Sequence, residues 1–143
     1  MQAYPHHYRA SGHSGAEGVV RIEAEGLPPI ASLPPPEFDG PGGHWSPETL
    51  LLAALVDCYS LSFRSIARAS KLEWESLDVQ VDGVLDRVDG VTRFVQFTLA
   101  PTLRLREAER ETLARNVLDK AKRACLISNS LVAPCELVPT VTF

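Results

Sequence analysis

The chain has 143 residues and a mass of 15.6 kDa, with 45% apolar and 22% charged residues. This composition is typical of one globular domain, expected over residues 1–143. With 14 basic and 18 acidic residues the net charge is −4, which argues against a nucleic-acid-binding protein because little positive charge remains to neutralise phosphates. The three cysteines are too few for a disulfide framework and show no CxxC spacing. We therefore expect reduced thiols in a cytoplasmic protein.

Targeting and membrane segments are not expected. The first 18 residues lack the basic and then apolar pattern of a signal peptide. The longest apolar run, residues 50–56, is far shorter than the stretch of about 20 residues that crosses a bilayer. No membrane contact is predicted.

The first predicted element is a short β-hairpin over residues 4–25, which turns near residues 14 and 15 because apolar residues alternate there with polar ones and glycine. Residues 26–43 are rich in proline and glycine, which excludes a helix or a central strand. A loop of this length is uncommon in a compact domain unless it is functional or covers something. We expect a long, shaped loop.

A long helix is predicted to begin at Ser46. Serine is a favoured N-cap, Pro47 then costs no hydrogen bond, and Glu48 lies in the electropositive first turn. The helix should run to about Ser70. Residues 50–56 are apolar on nearly all sides, so we expect this part to be buried on every face.

The rest of the chain predicts a second hairpin, a second helix and a final strand. Asp89-Gly90 is a strong turn signal inside the strand-like segment 77–104. Residues 107–125 show helical spacing, and residues 135–143 alternate as a strand. This order of elements belongs to the α+β class.

The cysteines do not by themselves indicate a reaction. On its own helix Cys58 has only Ala54, Leu55, Leu61 and Ser62 at neighbouring positions, and none of these lowers a thiol pKa. Cys125 follows a cationic cluster that favours a thiolate, although dipole complementarity alone places cations at a helix end. Cys135 is interpreted as a packing residue. Any activation of Cys58 must come from another part of the fold.

Metal and phosphate sites have no positive support. The four histidines, His6, His7, His13 and His44, form no HxxxH pair, and adjacent residues of a strand point to opposite faces. No GxSxG, Walker or GxGxxG motif is present. No bound metal is predicted, and a structural zinc protein stays a minor alternative.

Two cysteine motifs carry a family resemblance. The first begins at Trp45-Ser46-Pro47-Glu48, continues through Leu50-Leu51-Leu52 and reaches Cys58-Tyr59; the second is Ala121-Lys122-Arg123-Ala124-Cys125-Leu126-Ile127-Ser128. Their order and flanks resemble the OsmC/Ohr family of thiol-dependent hydroperoxide reductases, over almost the whole chain. The resemblance implies an OsmC-like fold in an interwoven homodimer, whose N-terminal strands join the partner's sheet and whose long helices are buried at the centre.

The resemblance also implies a reaction. Cys58 would attack the peroxide O–O bond and become a sulfenic acid, and Cys125 would resolve it as a disulfide. A dithiol such as dihydrolipoamide would then reduce that disulfide, and no cofactor is needed. Family members hold an activating arginine with the glutamate that Glu48 matches. The family's arginine position corresponds to Ala16, so Arg9 or Arg21 would supply the guanidinium.

An organic hydroperoxide requires an apolar pocket, for which the aromatic residues near the helix are candidates. These are Phe38, Trp45, Tyr59 and Phe63. The alternative from another functional class is a binding protein that holds a small apolar metabolite at the dimer interface without redox chemistry, and Ala16 in the arginine position favours it. A thiol pKa near the free value of about 8.5 or above would distinguish this binder from the peroxidase.

Overall fold

The computed structural model describes residues 1–143, which divide into two units, residues 1–51 and 52–143. The elements comprise two sheets and three helices, as the predicted α+β class requires. Helix α1, Pro47–Ala69, begins in the first unit and continues into the second. It confirms the predicted helix to within one residue at its end.

The first unit contains a three-stranded antiparallel sheet in the order β1-β2-β3. Strands β1, Ser11–His13, and β2, Val20–Glu23, form the predicted hairpin. Strand β3, Ile30–Ser32, lies inside the segment that was predicted to be loop. It pairs with β2 on one side, and on the other side Ser32 forms an isolated parallel bridge to Trp45. The neighbouring prolines lie outside its three paired residues.

The proline- and glycine-rich segment folds into a fixed loop that leads to helix α1. Its 3₁₀ turn, Pro36–Phe38, is followed by Gly40, whose amide donates to the carbonyl of Pro35 at 3.0 Å. A Cβ atom on Gly40 would overlap the carbonyl oxygen of Pro34. Only glycine therefore fits where the loop folds back on itself.

The start of α1 is capped as predicted. The Ser46 hydroxyl accepts the Thr49 amide at 3.2 Å, and the Thr49 hydroxyl accepts the Ser46 amide at 2.9 Å. This reciprocal pair satisfies two backbone donors that the helix end would leave free. Ser46 is itself buried.

Helix α1 does not bury all its faces, which corrects the sequence-based expectation. Its buried residues form one stripe with a spacing of four: Leu55, Tyr59, Phe63 and Ala67. On other faces the apolar side chains are partly open, and Leu61 is 51% exposed. Within a single chain, the other elements pack against one side of the helix only.

The same helix is long and apolar enough to cross a membrane by length and composition alone. It has 23 residues, and an 18-residue window has a mean hydropathy of 1.5, with 22% of that window buried. The unbroken apolar run 50–56 is short, but small residues and few charges keep the mean hydropathy of the whole helix high. Core helices of soluble proteins meet the same criterion.

The second sheet is built on the predicted long hairpin. Strands β4, Ser76–Val88, and β5, Val91–Arg104, pair antiparallel around Asp89 and Gly90, whose φ angles of 52° and 77° suit the tight turn of a hairpin. Strands β6, Cys135–Leu137, and β7, Thr140–Thr142, both run parallel to β5. The predicted single strand 135–143 is thus interrupted: it forms two short strands separated by Val138 and Pro139, and Pro139 has no amide hydrogen to donate.

Two further helices lie between β5 and β6. Helix α2, Glu111–Ala124, agrees with the prediction except that its first turn is a 3₁₀ turn, Ala108–Arg110. Helix α3, Leu126–Asn129, is a single turn that was not predicted. Most of the fully buried side chains of this unit come from α1, α2 and β5, and these include Tyr59, Phe63, Phe97, Leu99, Leu103 and Leu118.

Candidate functional site: a pair of thiols

Cys58 is positioned by its neighbour on α1. Tyr59 is fully buried, and its hydroxyl donates to the backbone carbonyl of Leu118 on α2 at 3.2 Å. This bond fixes the rotation of α1 relative to α2. Burial, together with the charges of Asp119 and Cys125, raises the pKa of Tyr59, so the phenol stays neutral and keeps donating.

Cys125 occupies the break between α2 and α3. Its backbone is extended, with φ −67° and ψ 99°, and its side chain is completely buried. Its carbonyl accepts the amide of Asn129 at 3.0 Å and the hydroxyl of Ser128 at 3.1 Å. A new helical turn therefore starts immediately after Cys125, and its first amides have no acceptor within the helix.

The two cysteines meet at this break. The Cys58 sulfur lies next to the Cys125 thiol and to the backbone amides of Ile127 and Leu126, all of which interact with it. Both thiols are free. Cys58 is partly exposed, whereas Cys125 is buried. The arrangement presents one accessible thiol to a reagent and keeps a second thiol behind it.

Burial raises the pKa of Cys58, and the neighbouring thiol of Cys125 raises it further. The backbone amides of Ile127 and Leu126 oppose this shift because they donate to the sulfur and favour the thiolate. The net shift is upward, with burial as its largest cause. Two amides thus give partial stabilisation to a thiolate that the site otherwise disfavours.

The glutamate and the arginines of the first unit are not paired with one another. One carboxylate oxygen of Glu48, Oε2, is inaccessible to solvent and has no hydrogen-bond partner. Arg21 instead pairs with Glu23 at 2.6 Å on the surface, and Arg9 forms no ion pair. The expected pairing of Glu48 with either arginine is therefore absent, because the guanidinium of Arg21 is taken by a nearer carboxylate.

The four predicted pocket residues fall into two groups. Tyr59 and Phe63 are fully buried, and the Phe63 ring meets Trp74 edge to face at 5.3 Å, so these two pack in the core and line no open pocket. Phe38 and Trp45 are each half exposed. Trp45 lines an open cleft of about 460 Å³ together with Ala31, His44 and Thr49.

Cys135, which the sequence indicated as a packing residue, is influenced by the charges of two residues near the end of α2. It is partly exposed at the start of β6, and both Cys125 and Lys122 are within electrostatic range. Burial raises its pKa, with Lys122 opposing the shift and Cys125 adding to it. No group of three or more His, Cys, Asp or Glu side chains is placed to hold a metal ion.

Comparisons with known proteins agree with the fold. The model of the OsmC-like protein family matches residues 40–138, a span that includes all three cysteines. A relative from Bacillus subtilis (strain 168), the uncharacterized protein YmaD, is 29% identical over 137 residues, which cover 92% of this chain and 91% of the relative.

Two solved structures illustrate the similarity of fold. An OsmC-like protein from Mycoplasma pneumoniae has a TM-score of 0.82 at 16% identity, covering 98% of this chain and 100% of that one. An organic hydroperoxide resistance protein OsmC from Legionella pneumophila has a TM-score of 0.75 at 22% identity, covering 99% and 100%. Since the family model matches well over half of the sequence, the chain belongs to the family of OsmC-like proteins.

Proposed function

We propose that this protein is a thiol-dependent peroxidase that reduces organic hydroperoxides. The observation that carries the proposal is the placement of the Cys58 thiol beside that of Cys125. The partial exposure of Cys58 and the burial of Cys125 suit an attacking and a resolving thiol, respectively. Similar folds in organic hydroperoxide resistance proteins support the substrate class.

The reaction proceeds through the reversible oxidation states of cysteine. The Cys58 thiolate attacks the terminal oxygen of the hydroperoxide, the O–O bond breaks, and the departing alkoxide takes a proton to become an alcohol. Cys58 is then a sulfenic acid. The Cys125 thiol attacks its sulfur, the S–S bond forms, and water leaves. A dithiol such as dihydrolipoamide restores both thiols by exchange, and no cofactor takes part.

Thiolate formation is assisted by groups around Cys58. The amides of Ile127 and Leu126 stabilise the anion in the free enzyme. Glu48, with its unpaired buried oxygen, is the proposed holder of an activating guanidinium, for which Arg9 and Arg21 remain the candidates. An arginine brought to Glu48 would lower the pKa of Cys58 further if it lay within about 4–6 Å of the sulfur.

The partly open apolar faces of α1 support a homodimer. A second copy of the chain would cover side chains such as Leu61, which a single copy leaves exposed. We propose that residues 1–143 act as one OsmC-like domain of a cytoplasmic dimer, with Phe38 and Trp45 beside the substrate. Sedimentation at micromolar concentration should give the mass of two chains, and a monomer would contradict this part of the proposal.

The experiment for the peroxidase is a single oxidation followed by thiol mapping. One equivalent of cumene hydroperoxide is added to the reduced protein, and peptides are analysed without reduction. We expect a Cys58–Cys125 disulfide, and a Cys58 sulfenic acid trapped by dimedone at early times. Unchanged Cys58 after complete mixing would overturn the proposal.

A second candidate function rests on the raised pKa of Cys58. Burial favours the protonated form of this thiol, which suits a non-catalytic protein that binds a small apolar metabolite. The two functions differ in the reaction with hydroperoxide, because a binding protein leaves its thiols reduced under the conditions just described.

A further inference from the structure

Cys125 lies at a break between two helices, where its carbonyl is engaged twice. Helix α2 ends at Ala124 and α3 begins at Leu126, while the backbone of Cys125 itself is extended. The Cys125 carbonyl accepts the Asn129 amide at 3.0 Å and the Ser128 hydroxyl at 3.1 Å. One of the two bonds that hold this break therefore comes from a side chain.

The bond from Ser128 is shielded from water, unlike a similar bond beside it. Ser128 and Cys125 are both buried. The Ser130 hydroxyl donates to the Leu126 carbonyl at 2.7 Å in the same turn, but at an exposed position. Water can replace a lost bond at the surface, whereas a buried acceptor that loses its donor bears the cost of desolvation. The break is therefore more sensitive to the loss of the Ser128 hydroxyl than to that of Ser130.

Helix α3 is short, so a single side-chain bond matters to it. It comprises the four residues Leu126–Asn129. A first helical turn fixes several backbone angles in return for very few hydrogen bonds, and is unfavourable when isolated. The hydroxyl of Ser128 adds a further bond between this turn and the residue that precedes it.

We propose that Ser128 is a positioning residue for the resolving step, an inference that rests on the proposed peroxidase function. Its hydroxyl holds the Cys125 carbonyl and, through it, the extended backbone from which the Cys125 thiol reaches Cys58. In that step the Cys125 sulfur attacks the sulfenic sulfur of Cys58, the S–O bond breaks, and the hydroxyl group leaves as water with the thiol proton. Ser128 acts through Cys125 and not on the hydroperoxide.

The resolving step depends strongly on such positioning. A disulfide forms only when the two Cβ atoms come within about 3.5–4.5 Å of each other, with a narrow range of torsion angles. The thiol of Cys125 and the amides of Leu126 and Ile127, which interact with the Cys58 sulfur, all belong to the segment that the Ser128 bond closes. Without this bond the turn is held by fewer contacts, and the productive orientation of the Cys125 thiol is populated less.

The test follows the resolving step in Ser128→Ala. Reduced protein is mixed with one equivalent of cumene hydroperoxide, and the Cys58–Cys125 disulfide and the dimedone-trapped sulfenic acid are quantified over time. We expect the disulfide to form about 2–10 times more slowly than in the wild type, because a buried hydrogen bond changes an equilibrium by about that factor. Trapped sulfenic acid should accumulate. A wild-type rate in folded Ser128→Ala overturns the proposal.

The matched control is Ser130→Ala, which removes the exposed hydroxyl–carbonyl bond of the same turn. Its rate of disulfide formation should stay within about twofold of the wild type, as is usual for surface substitutions. An effect of Ser130→Ala as large as that of Ser128→Ala would overturn the special role of the buried hydroxyl.

A second pair of variants separates the hydroxyl from packing, and it carries the test if Ser128→Ala does not fold. Ser128→Thr keeps the hydroxyl, whereas Ser128→Val has nearly the same shape without it, so any strain from the added methyl group is common to both. We expect Ser128→Thr to form the disulfide about 2–10 times faster than Ser128→Val. Equal rates overturn the proposal.

Failure of this inference and failure of the peroxidase proposal are distinguishable. A wild-type protein that does not react with the hydroperoxide overturns the peroxidase. A separate arm therefore oxidises the two thiols with diamide, which accepts two electrons and two protons and needs no peroxide. Ser128→Ala should again form the Cys58–Cys125 disulfide more slowly than the wild type. Equal rates with diamide overturn the positioning role whatever the peroxidase activity.

Discussion

The thiol of Cys58 lies beside the thiol of Cys125, although the two residues belong to different segments of the chain that are separated by the whole β4–β5 hairpin. The contact depends on a break in the backbone. Because α2 stops at Ala124 and a new turn starts at Leu126, Cys125 and two free amides are directed to the same sulfur. A continuous helix would have engaged those amides in its own hydrogen bonds.

Replacing either cysteine of the pair should separate the two steps of the reaction. Cys58→Ser is expected to abolish the consumption of cumene hydroperoxide, because the attacking sulfur is lost. Cys125→Ser should permit one turnover and then stall, since the sulfenic acid has no resolving partner. Stopped-flow measurements without a thiol reductant check both results, because a dithiol would itself reduce the sulfenic acid, and dimedone should trap that acid in Cys125→Ser. Continued turnover by Cys58→Ser would show that another thiol attacks the peroxide.

The reactivity of Cys58 should rise with pH beyond the range of a free thiol. Burial and the thiol of Cys125 raise the pKa of Cys58, so its thiolate fraction in the folded protein keeps growing as the pH passes the ordinary value. Iodoacetamide alkylation, followed by mass spectrometry across the alkaline range, measures this. Cys125→Ala removes one cause of the shift and should move the profile to lower pH.

The same shift has a consequence for stability. The unfolded chain ionises this thiol at a lower pH than the folded chain does, so the raised pKa favours the folded state below the ordinary pKa. That contribution is lost as the pH rises through the folded value. A profile of Cys58 alkylation that levels off below neutral pH would contradict both statements.

Tyr59→Phe should cost stability without removing bulk from the core. The substitution deletes the buried hydrogen bond to the Leu118 carbonyl, which is expected to lower the free energy of unfolding by about 0.5–1.5 kcal/mol. Urea denaturation measures the loss. Tyr59→Ala is the comparison, and its cavity should raise the cost to about 3–5 kcal/mol. An unchanged free energy of unfolding in Tyr59→Phe would contradict the role given to the hydroxyl.

Gly40→Ala should disrupt the loop that leads to α1. The added methyl group would overlap the Pro34 carbonyl, and backbone must move to relieve it. We expect a loss of roughly 1–3 kcal/mol in the free energy of unfolding. Gly15→Ala, where the nearest atom to the new Cβ is at 3.5 Å, is the matched control and should be close to neutral. Similar thermal midpoints for both variants would refute the predicted overlap.

The elements that were predicted well are those with local signals. Asp89-Gly90 specifies its hairpin through backbone conformation alone, and Ser46 caps α1 through bonds within one turn. The missed elements depend on distant pairing. Strand β3 forms by pairing with the free edge of β2. Strands β6 and β7 are separate because each pairs with a different part of β5. Nothing local in those residues identifies their partners.

The candidate site shows the same division. The pairing of Cys58 with Cys125 was expected from the resemblance to a family, whereas their own helical neighbours gave no sign of it. The amides of Ile127 and Leu126 were missed because a backbone group has no sequence signature. Cys135 was interpreted as a packing residue. Its surroundings depend on the parallel pairing of β6 with β5, which the sequence does not reveal.

That parallel pairing also bears on the order in which the protein folds. The β4–β5 hairpin joins residues that are close in sequence and can form early, whereas β6 can join β5 only after the chain has crossed over through α2. The edge of the sheet that carries Cys135 is therefore completed late. Until β6 docks, Cys135 has no fixed position beside Phe97, its partner on β5.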